Sequence, residues 1–333
     1  MLRFAVVGAG RIATAHARSL AANPAAEVTW VADPFPGAAD RIAGPIGARA
    51  TLDPSEAIGA ADVDAVLVCS PTPTHVDMIL ASVAAGKAVL CEKPIDLSLA
   101  RVDECLRALE GADARVMMGF NRRFDPSFAA VHARVGEGEI GSIEQVIVIS
   151  RDPAPPPASY VRESGGIFRD MTIHDFDMVR FFLPDIVEVS ATGQNLIDPG
   201  IKDAGDFDGA VVTLRAASGA VATIVNSRRA TYGYDQRLEV FGSAGMLQAT
   251  NLLPNSVRSY GADHAERTAP YLTFFLERYA EAYAAELAAF IEGVESGSAF
   301  SPDLADGRAA LVLADAAGQA ARSGASVTIP GAA

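Results

Sequence analysis

A chain of 333 residues, half of them hydrophobic and a fifth charged, has room for about two domains with proper cores and is too apolar to remain disordered. Forty-one acidic against 27 basic residues leave a formal charge of −14, a field that repels phosphate backbones and anionic lipid, so neither nucleic acid nor a membrane surface is an expected partner. No stretch approaches the roughly 20 apolar residues of a bilayer span, no signal-type cleavage site follows the short N-terminal apolar run, and Cys69, Cys91 and Cys105 lack metal-ligand spacing, which together predict a cytoplasmic protein with reduced, buried thiols.

From the N-terminus to about residue 120, short apolar runs alternate with longer amphipathic stretches, the pattern of βαβ units around a parallel sheet. Strands are predicted at Phe4 to Val7, Val28 to Ala32, Ala65 to Cys69, Ala88 to Cys91 and Arg115 to Gly119. Helices are predicted at Ile12 to Ala22, Pro54 to Gly59, Val76 to Ala85, where Gly86 supplies a left-handed stop, and Leu99 to Leu109. After Asn121 the runs Glu144 to Ile149, Ala210 to Leu214, Val221 to Asn226 and Arg237 to Phe241 predict a β-rich second domain, with a hairpin turn at Ser218-Gly219 and a stiff loop over Pro153 to Pro157. Helices over Phe168 to Phe182, Tyr271 to Gly293 and Asp303 to Ala321, and a last strand at Ala325 to Ile329, complete the expectation: an α/β protein with domains at 1–120 and 121–333.

Three motifs carry chemistry. Gly8-Ala9-Gly10-Arg11-Ile12-Ala13 joins the first strand to the first helix, where glycines permit a tight turn and close approach of a pyrophosphate to free N–H groups at the helix start. Asp33 ends the second strand, in place to bind ribose hydroxyls, and its charge favours NAD over NADP. Ser70, Thr72 and His75 follow the strand at 65–69 at the carboxyl edge where ligands of open parallel sheets gather, with Thr74 an alternative helix cap, and Glu92-Lys93-Pro94 directs a lysine to the same edge. Third, the spacing of Asp170, His174 and Asp177 places an imidazole and two carboxylates on one helical stripe, with Asp175 pointing elsewhere. A histidine so flanked suits proton transfer near neutrality, against the readings of a surface ion pair or a metal site, the latter weakened by the lack of a second histidine on that face. His16, His132 and His264 lack such companions and read as structural or solvent-facing.

These motifs, together with Gly119-Phe120-Asn121-Arg122-Arg123-Phe124-Asp125 and Tyr232-Gly233-Tyr234-Asp235-Gln236-Arg237, resemble the glucose-fructose oxidoreductase/inositol dehydrogenase (Gfo/Idh/MocA) family nearly end to end, and within it the inositol 2-dehydrogenases. The resemblance implies an N-terminal Rossmann domain, a C-terminal α/β domain with a large, mostly antiparallel sheet, and a homotetramer. It implies NAD as cofactor, no metal, and a polyol or sugar substrate whose ring hydroxyl is oxidised to a ketone. Lys93, Asp170 and His174 become the catalytic set, with His174 as general base, and Gly8, Gly10, Arg11, Ile12, Asp33, Ser70, Thr72, His75, Glu92 and Lys93 the cofactor set. Lys93, Arg122, Asp152, Asp170, His174, Asp177 and Tyr234 line the polyol pocket. Ser150-Arg151-Asp152 stands where some relatives carry histidine and asparagine, which keeps open a pyranose or anhydrosugar substrate; a non-catalytic NAD-binding sensor is the reading of another class.

Overall fold

Six short strands, β1 (Leu2–Val7), β2 (Ala26–Ala32), β3 (Arg49–Thr51), β4 (Ala65–Val68), β5 (Ala88–Glu92) and β6 (Val116–Gly119), form a parallel sheet in the order β3-β2-β1-β4-β5-β6. The computed structural model describes residues 1–330. β4, β5 and β6 are buried at every position, as their unbroken Val, Leu and Met runs require when helices cover both faces. Strand order reverses between β1 and β4, so the loops that leave these two strands open the crevice in which ligands of such sheets bind.

The chain divides into two compact units, Met1–Phe124 with Ala280–Leu311, and Asp125–Tyr279 with the residues from Val312 onward. This differs from a single boundary at residue 120, because the helix Ala280–Ser296 packs on the helix Arg11–Ala22 and delivers Leu287, Phe290 and Ile291 to the core around Phe4, Leu67, Leu90 and Met117. Each such buried side chain contributes about 1.5–3 kcal/mol of transfer free energy, more than composition can reveal about which core a helix joins. The expected helix over 271–293 is in fact two, Phe275–Arg278 and Ala280–Ser296, with Tyr279 out of helical geometry between them.

The second unit is built on a seven-stranded mixed sheet of β7 (Ile143–Arg151), β8 (Ile186–Gln194), β9 (Gly209–Ala216), β10 (Val221–Ser227), β11 (Asp235–Gly242), β12 (Gly245–Ala249) and, after the separate hairpin β13 (Ser259–Gly261) and β14 (His264–Arg267), β15 (Val327–Thr328). Its order is β12-β11-β7-β10-β9-β8-β15, antiparallel throughout except where β7 runs parallel to β10. Strict alternation in β9 and β10 buries one face, on which the helix Ile173–Phe182 packs, and exposes Val211 and Val221 on the other.

The predicted helix over 168–182 is broken. Gly166–Asp170 and Ile173–Phe182 are separate helices, because the N–H groups of Met171 and Thr172 both turn back to the Ile167 carbonyl. The Thr172 hydroxyl bonds the same carbonyl and also donates to Asn226 Oδ1 on β10 at 2.6 Å, which pins the break to the sheet.

Candidate active site

The carboxyl edge of the first sheet assembles around Gly8. Its φ is +94°, and a Cβ there would lie 2.5 Å from the Ser70 backbone nitrogen, so the loop after β4 closes on the glycine with no room for a side chain. Gly10, by contrast, caps the helix Arg11–Ala22 in open space, and the first turn of that helix carries no acidic side chain. Between them, the Ala9 N–H donates to Asp33 Oδ2 at 2.7 Å, while Asp33 Oδ1 accepts from the Phe35 N–H at 2.9 Å, so the carboxylate at the end of β2 is fixed in orientation by two amides. These two glycines separate folding from binding. Gly8→Ala should prevent accumulation of folded protein, whereas Gly10→Ala should leave the melting temperature within about 2 °C, equivalent to under 1 kcal/mol, and weaken dinucleotide binding, measured by NADH fluorescence.

Two further loops are tied together by His75. It is buried, its Nδ1 lies 2.7 Å from the Pro94 carbonyl and its Nε2 2.8 Å from the Ser70 carbonyl, so both ring nitrogens are engaged by backbone. Burial holds its pKa below the ordinary histidine value, opposed by the two carbonyls, and a neutral ring donates to one of them. His75 thus braces the loop after β4 against the Lys93-Pro94 segment after β5. Thr74 makes no capping bond to the following helix; its hydroxyl donates to the Pro71 carbonyl and meets Ser70 Oγ at 2.6 Å, which corrects the capping alternative. Thr72 is half-buried in the same turn, as are Ile12 and Lys93, while Arg11 is exposed.

Glu92 is buried and its Oε1 lies 2.6 Å from His16 Nε2, a partner 76 residues away that no local spacing discloses. His16 is therefore structural, one of the two expected readings, with a remote carboxylate as its partner. Arg122 is buried in the short turn Asn121–Phe124 that follows β6, and the adjacent Arg123 bonds Ser301 Oγ and Asp306. The three cysteines are free and buried, as expected.

In the second unit, His174 and Asp177 stand three residues apart on the helix Ile173–Phe182, the first half-buried and the second buried. Asp170 ends the preceding helix, so the three do not share one continuous helix. The Tyr160 hydroxyl donates to Asp170 Oδ1 at 3.1 Å, and Arg228 Nη1 lies 3.8 Å from Oδ2. Arg228, 1% exposed, also lies 3.9 Å from Asp206, whose carboxylate accepts the Ile167 N–H and occupies the space a Cβ on Gly166 would need. Burial pushes the Asp206 pKa up, and Arg228 opposes it.

Asp175 does point away from the stripe, into the sheet. It is fully buried, accepting from Ser150 Oγ at 2.5 Å and from Asn226 Nδ2 at 2.7 Å; Ser150 Oγ also lies 3.1 Å from Gln236 Oε1, which accepts from the Tyr279 hydroxyl. Ser150 is thus engaged within the fold, and the neighbouring Arg151 pairs with Asp235 and the Tyr232 hydroxyl. The half-buried Asp152 follows, its N–H donating to the Ser227 carbonyl at 2.9 Å, and Tyr234 is buried edge-on to Tyr279.

Sequence reasoning missed Arg228, Asp206, His16 and the role of Asp175. A usable signal existed for the last: Ser150, Asn226 and Gln236 each fall on the buried parity of an otherwise apolar strand, which is where a polar network must meet a partner.

The profile of the oxidoreductase family with an NAD-binding Rossmann fold matches residues 2–120, and that of the GFO/IDH/MocA C-terminal domain matches residues 128–248. The chain is 52% identical over 318 residues to an inositol 2-dehydrogenase of Rhizobium meliloti, covering 95% of this chain and 96% of that one. The chain belongs to the GFO/IDH/MocA oxidoreductase family. Among solved structures, a myo-inositol dehydrogenase from Corynebacterium glutamicum superposes with a TM-score of 0.96 at 52% identity, covering 99% of each chain. A scyllo-inositol dehydrogenase from Lactobacillus casei, solved with NAD(H) and scyllo-inositol, superposes with a TM-score of 0.91 at 29% identity, covering 98% of this chain and 99% of that one. In this GFO/IDH/MocA member the cofactor cradle is intact: a Gly8 that admits no side chain, a helix start free of carboxylates, and an oriented acid at the end of β2 fit an NAD-type dinucleotide.

Proposed function

We propose that this protein is an NAD-dependent inositol 2-dehydrogenase that oxidises one ring hydroxyl of myo- or scyllo-inositol to a ketone. The observation that carries the reading is an intact dinucleotide cradle, with Glu92-Lys93 on its edge and His174 between two carboxylates in sequence, in a chain half identical to an inositol 2-dehydrogenase over 95% of its length. Gly8, Gly10, Arg11 and Ile12 would hold the pyrophosphate, Asp33 the ribose hydroxyls, and Ser70 and Thr72 the nicotinamide half, with His75 and Glu92 acting by fixing the loops. NAD, when bound, accepts the hydride from the carbinol carbon.

Lys93 binds the hydroxyl oxygen and stabilises the alkoxide that develops on it. His174 takes the hydroxyl proton, and Asp170 stabilises the resulting imidazolium. Arg122, Asp152, Asp177 and Tyr234 hydrogen-bond the remaining hydroxyls and so select the isomer. The products are the ketone, NADH and one proton. A neutral polyol suits a strongly acidic protein, since no anion has to be drawn in against the field.

The reading extends to a cytoplasmic homotetramer. Among the described residues no helix is long and apolar enough to cross a membrane, and Val211, Val221, Phe241 and Met246 form exposed apolar positions on the second sheet of the kind an interface covers. Sedimentation as a monomer at assay concentration would remove the tetramer.

The test of function is NADH formation with myo-inositol, scyllo-inositol, D-chiro-inositol, glucose, xylose and levoglucosan, using NAD and then NADP. Turnover of a cyclitol with NAD is expected. Turnover confined to a pyranose or anhydrosugar would move the substrate, and tight NADH binding with no turnover on any of them would favour a sensor.

A further inference from the structure

Glu286 lies in the middle of the helix Ala280–Ser296, in the first unit. It is fully buried, and neither carboxyl oxygen finds a hydrogen-bond partner among the described residues. An ionised carboxylate in that position would be among the least tolerable arrangements a protein interior can hold. Its surroundings make ionisation worse still. Glu92, at the end of β5 and one residue before Lys93, is the charge that acts on it. The Cys69 thiol, just after β4, is pushed up by burial first and then by the charge of Glu92. From the helix Arg11–Ala22, His16 meets Glu92 at 2.6 Å, and Tyr283, one turn before Glu286, lies edge-on to the His16 ring at 5.1 Å. On its other side Glu92 is confined by β6, where a Cβ on Gly119 would lie 3.2 Å from Oε2. Burial, then the field of Glu92, holds the Glu286 carboxyl well above the usual carboxylate range.

We propose that Glu286 is a neutral carboxylic acid and a positioning residue for the cofactor edge, acting with His16 to hold Glu92 and, through it, the backbone that presents Lys93. A neutral acid has no direct partner here among the described residues, but it offers an O–H donor that a buried water can relay toward the Glu92 side chain. Ionisation as pH rises adds a charge next to a loop that must receive an anionic dinucleotide. Oxidation of an alcohol, favoured at high pH by proton release, would then meet an upper limit set by a residue that touches neither substrate nor cofactor. Only this last consequence rests on the dehydrogenase reading.

The experiment uses the full-length protein, Glu286→Gln and Glu286→Leu, with NADH fluorescence and thermal melts as readouts that do not depend on any polyol. Because the native pKa lies above the ordinary value of 4.5, Glu286 contributes stability that is complete below that value and is lost as pH rises toward the native one. The glutamine, neutral at every pH and of the same shape, keeps what the acid loses. The melting temperature of Glu286→Gln is therefore expected to gain on wild type progressively above pH 5. Wild-type affinity for NADH should fall about tenfold as Glu286 ionises, the order of effect that one added charge has across a moderate effective dielectric, and that loss at higher pH should be absent in Glu286→Gln.

Glu286→Leu, neutral but without a donor, should bind NADH more weakly than Glu286→Gln already at pH 7. Infrared difference spectra of wild type against Glu286→Gln should contain a protonated carboxylic C=O band at pH 7. A constant offset in melting temperature across pH, or a missing C=O band, would overturn the neutral acid. Equal NADH affinity of the glutamine and leucine variants would overturn the positioning role. Should the leucine variant not fold, persistence of the loss of NADH affinity at higher pH in Glu286→Gln overturns that role and its disappearance supports it.

Discussion

His174→Ala is expected to lower kcat for inositol oxidation by about 10²–10⁴-fold, the usual contribution of a positioned general base, while NADH binds as in wild type. The imidazole sits at the start of the helix Ile173–Phe182, half-buried, with Asp177 one turn on. Its neighbours Thr172 and Asp175 are buried and bonded to Asn226, which anchors this part of the helix to the sheet. Truncation at Cβ therefore removes the base without loosening the helix, and the melting temperature should hardly move. On the proposal that Lys93 and His174 act on the same hydroxyl oxygen, Lys93→Met is expected to give a comparable loss and the double variant to be little worse than either single one. Additive losses would mean that the two residues serve separate steps, and an unchanged kcat in His174→Ala would assign the proton to another group.

How far the sequence discloses this arrangement depends on how local its causes are. Strands β4 to β6 are legible because a strand buried on both faces must be apolar throughout, and the Gly8 loop because a backbone–backbone approach of this closeness excludes every side chain. Asp33 is legible through its distance from that loop. Legibility ends where a partner is remote. The spacing of Asp170, His174 and Asp177 looks like one helix, yet the break at Met171-Thr172 is imposed by Asn226, 54 residues from Thr172. The assignment of the helix Ala280–Ser296 to the first unit depends on which core its Leu287 and Phe290 enter, and helical periodicity gives a face without naming what lies opposite. β8, with the weakly apolar Glu188-Val189-Ser190-Ala191-Thr192-Gly193, passes unnoticed because only half its length is covered.

The same distance from local pattern hides Arg228, whose replacement is the second large effect. Arg228→Met should destabilise the protein by about 3 kcal/mol, the low end of the cost of breaking a buried pair because the two carboxylates are only partly buried, which in a chain of this size corresponds to a fall in melting temperature on the order of 10 °C. The guanidinium is 1% exposed, its Nε and Nη2 make no hydrogen bond among the described residues, and it sits 3.8 Å from Asp170 and 3.9 Å from Asp206, so its contribution is chiefly the field of a desolvated charge. The sign of the pH dependence distinguishes this from lost packing. In wild type, burial already raises the Asp206 pKa and Arg228 counteracts it; without the cation the pKa rises further. A carboxyl whose folded pKa is raised contributes stability that is complete below its unfolded value and is lost as pH rises through the folded one. The deficit of Arg228→Met should therefore be largest near neutrality and shrink as pH falls toward the ordinary carboxylate range, where Asp206 takes up a proton and no longer needs the cation. A deficit independent of pH would assign the loss to the cavity left by the guanidinium. On the proposed mechanism turnover should change as well, because Asp170, the carboxylate assigned to the His174 imidazolium, loses its neighbouring cation. Kinetics at pH 5.5 and 7.5 on protein kept well below its melting temperature separate that electrostatic effect from unfolding.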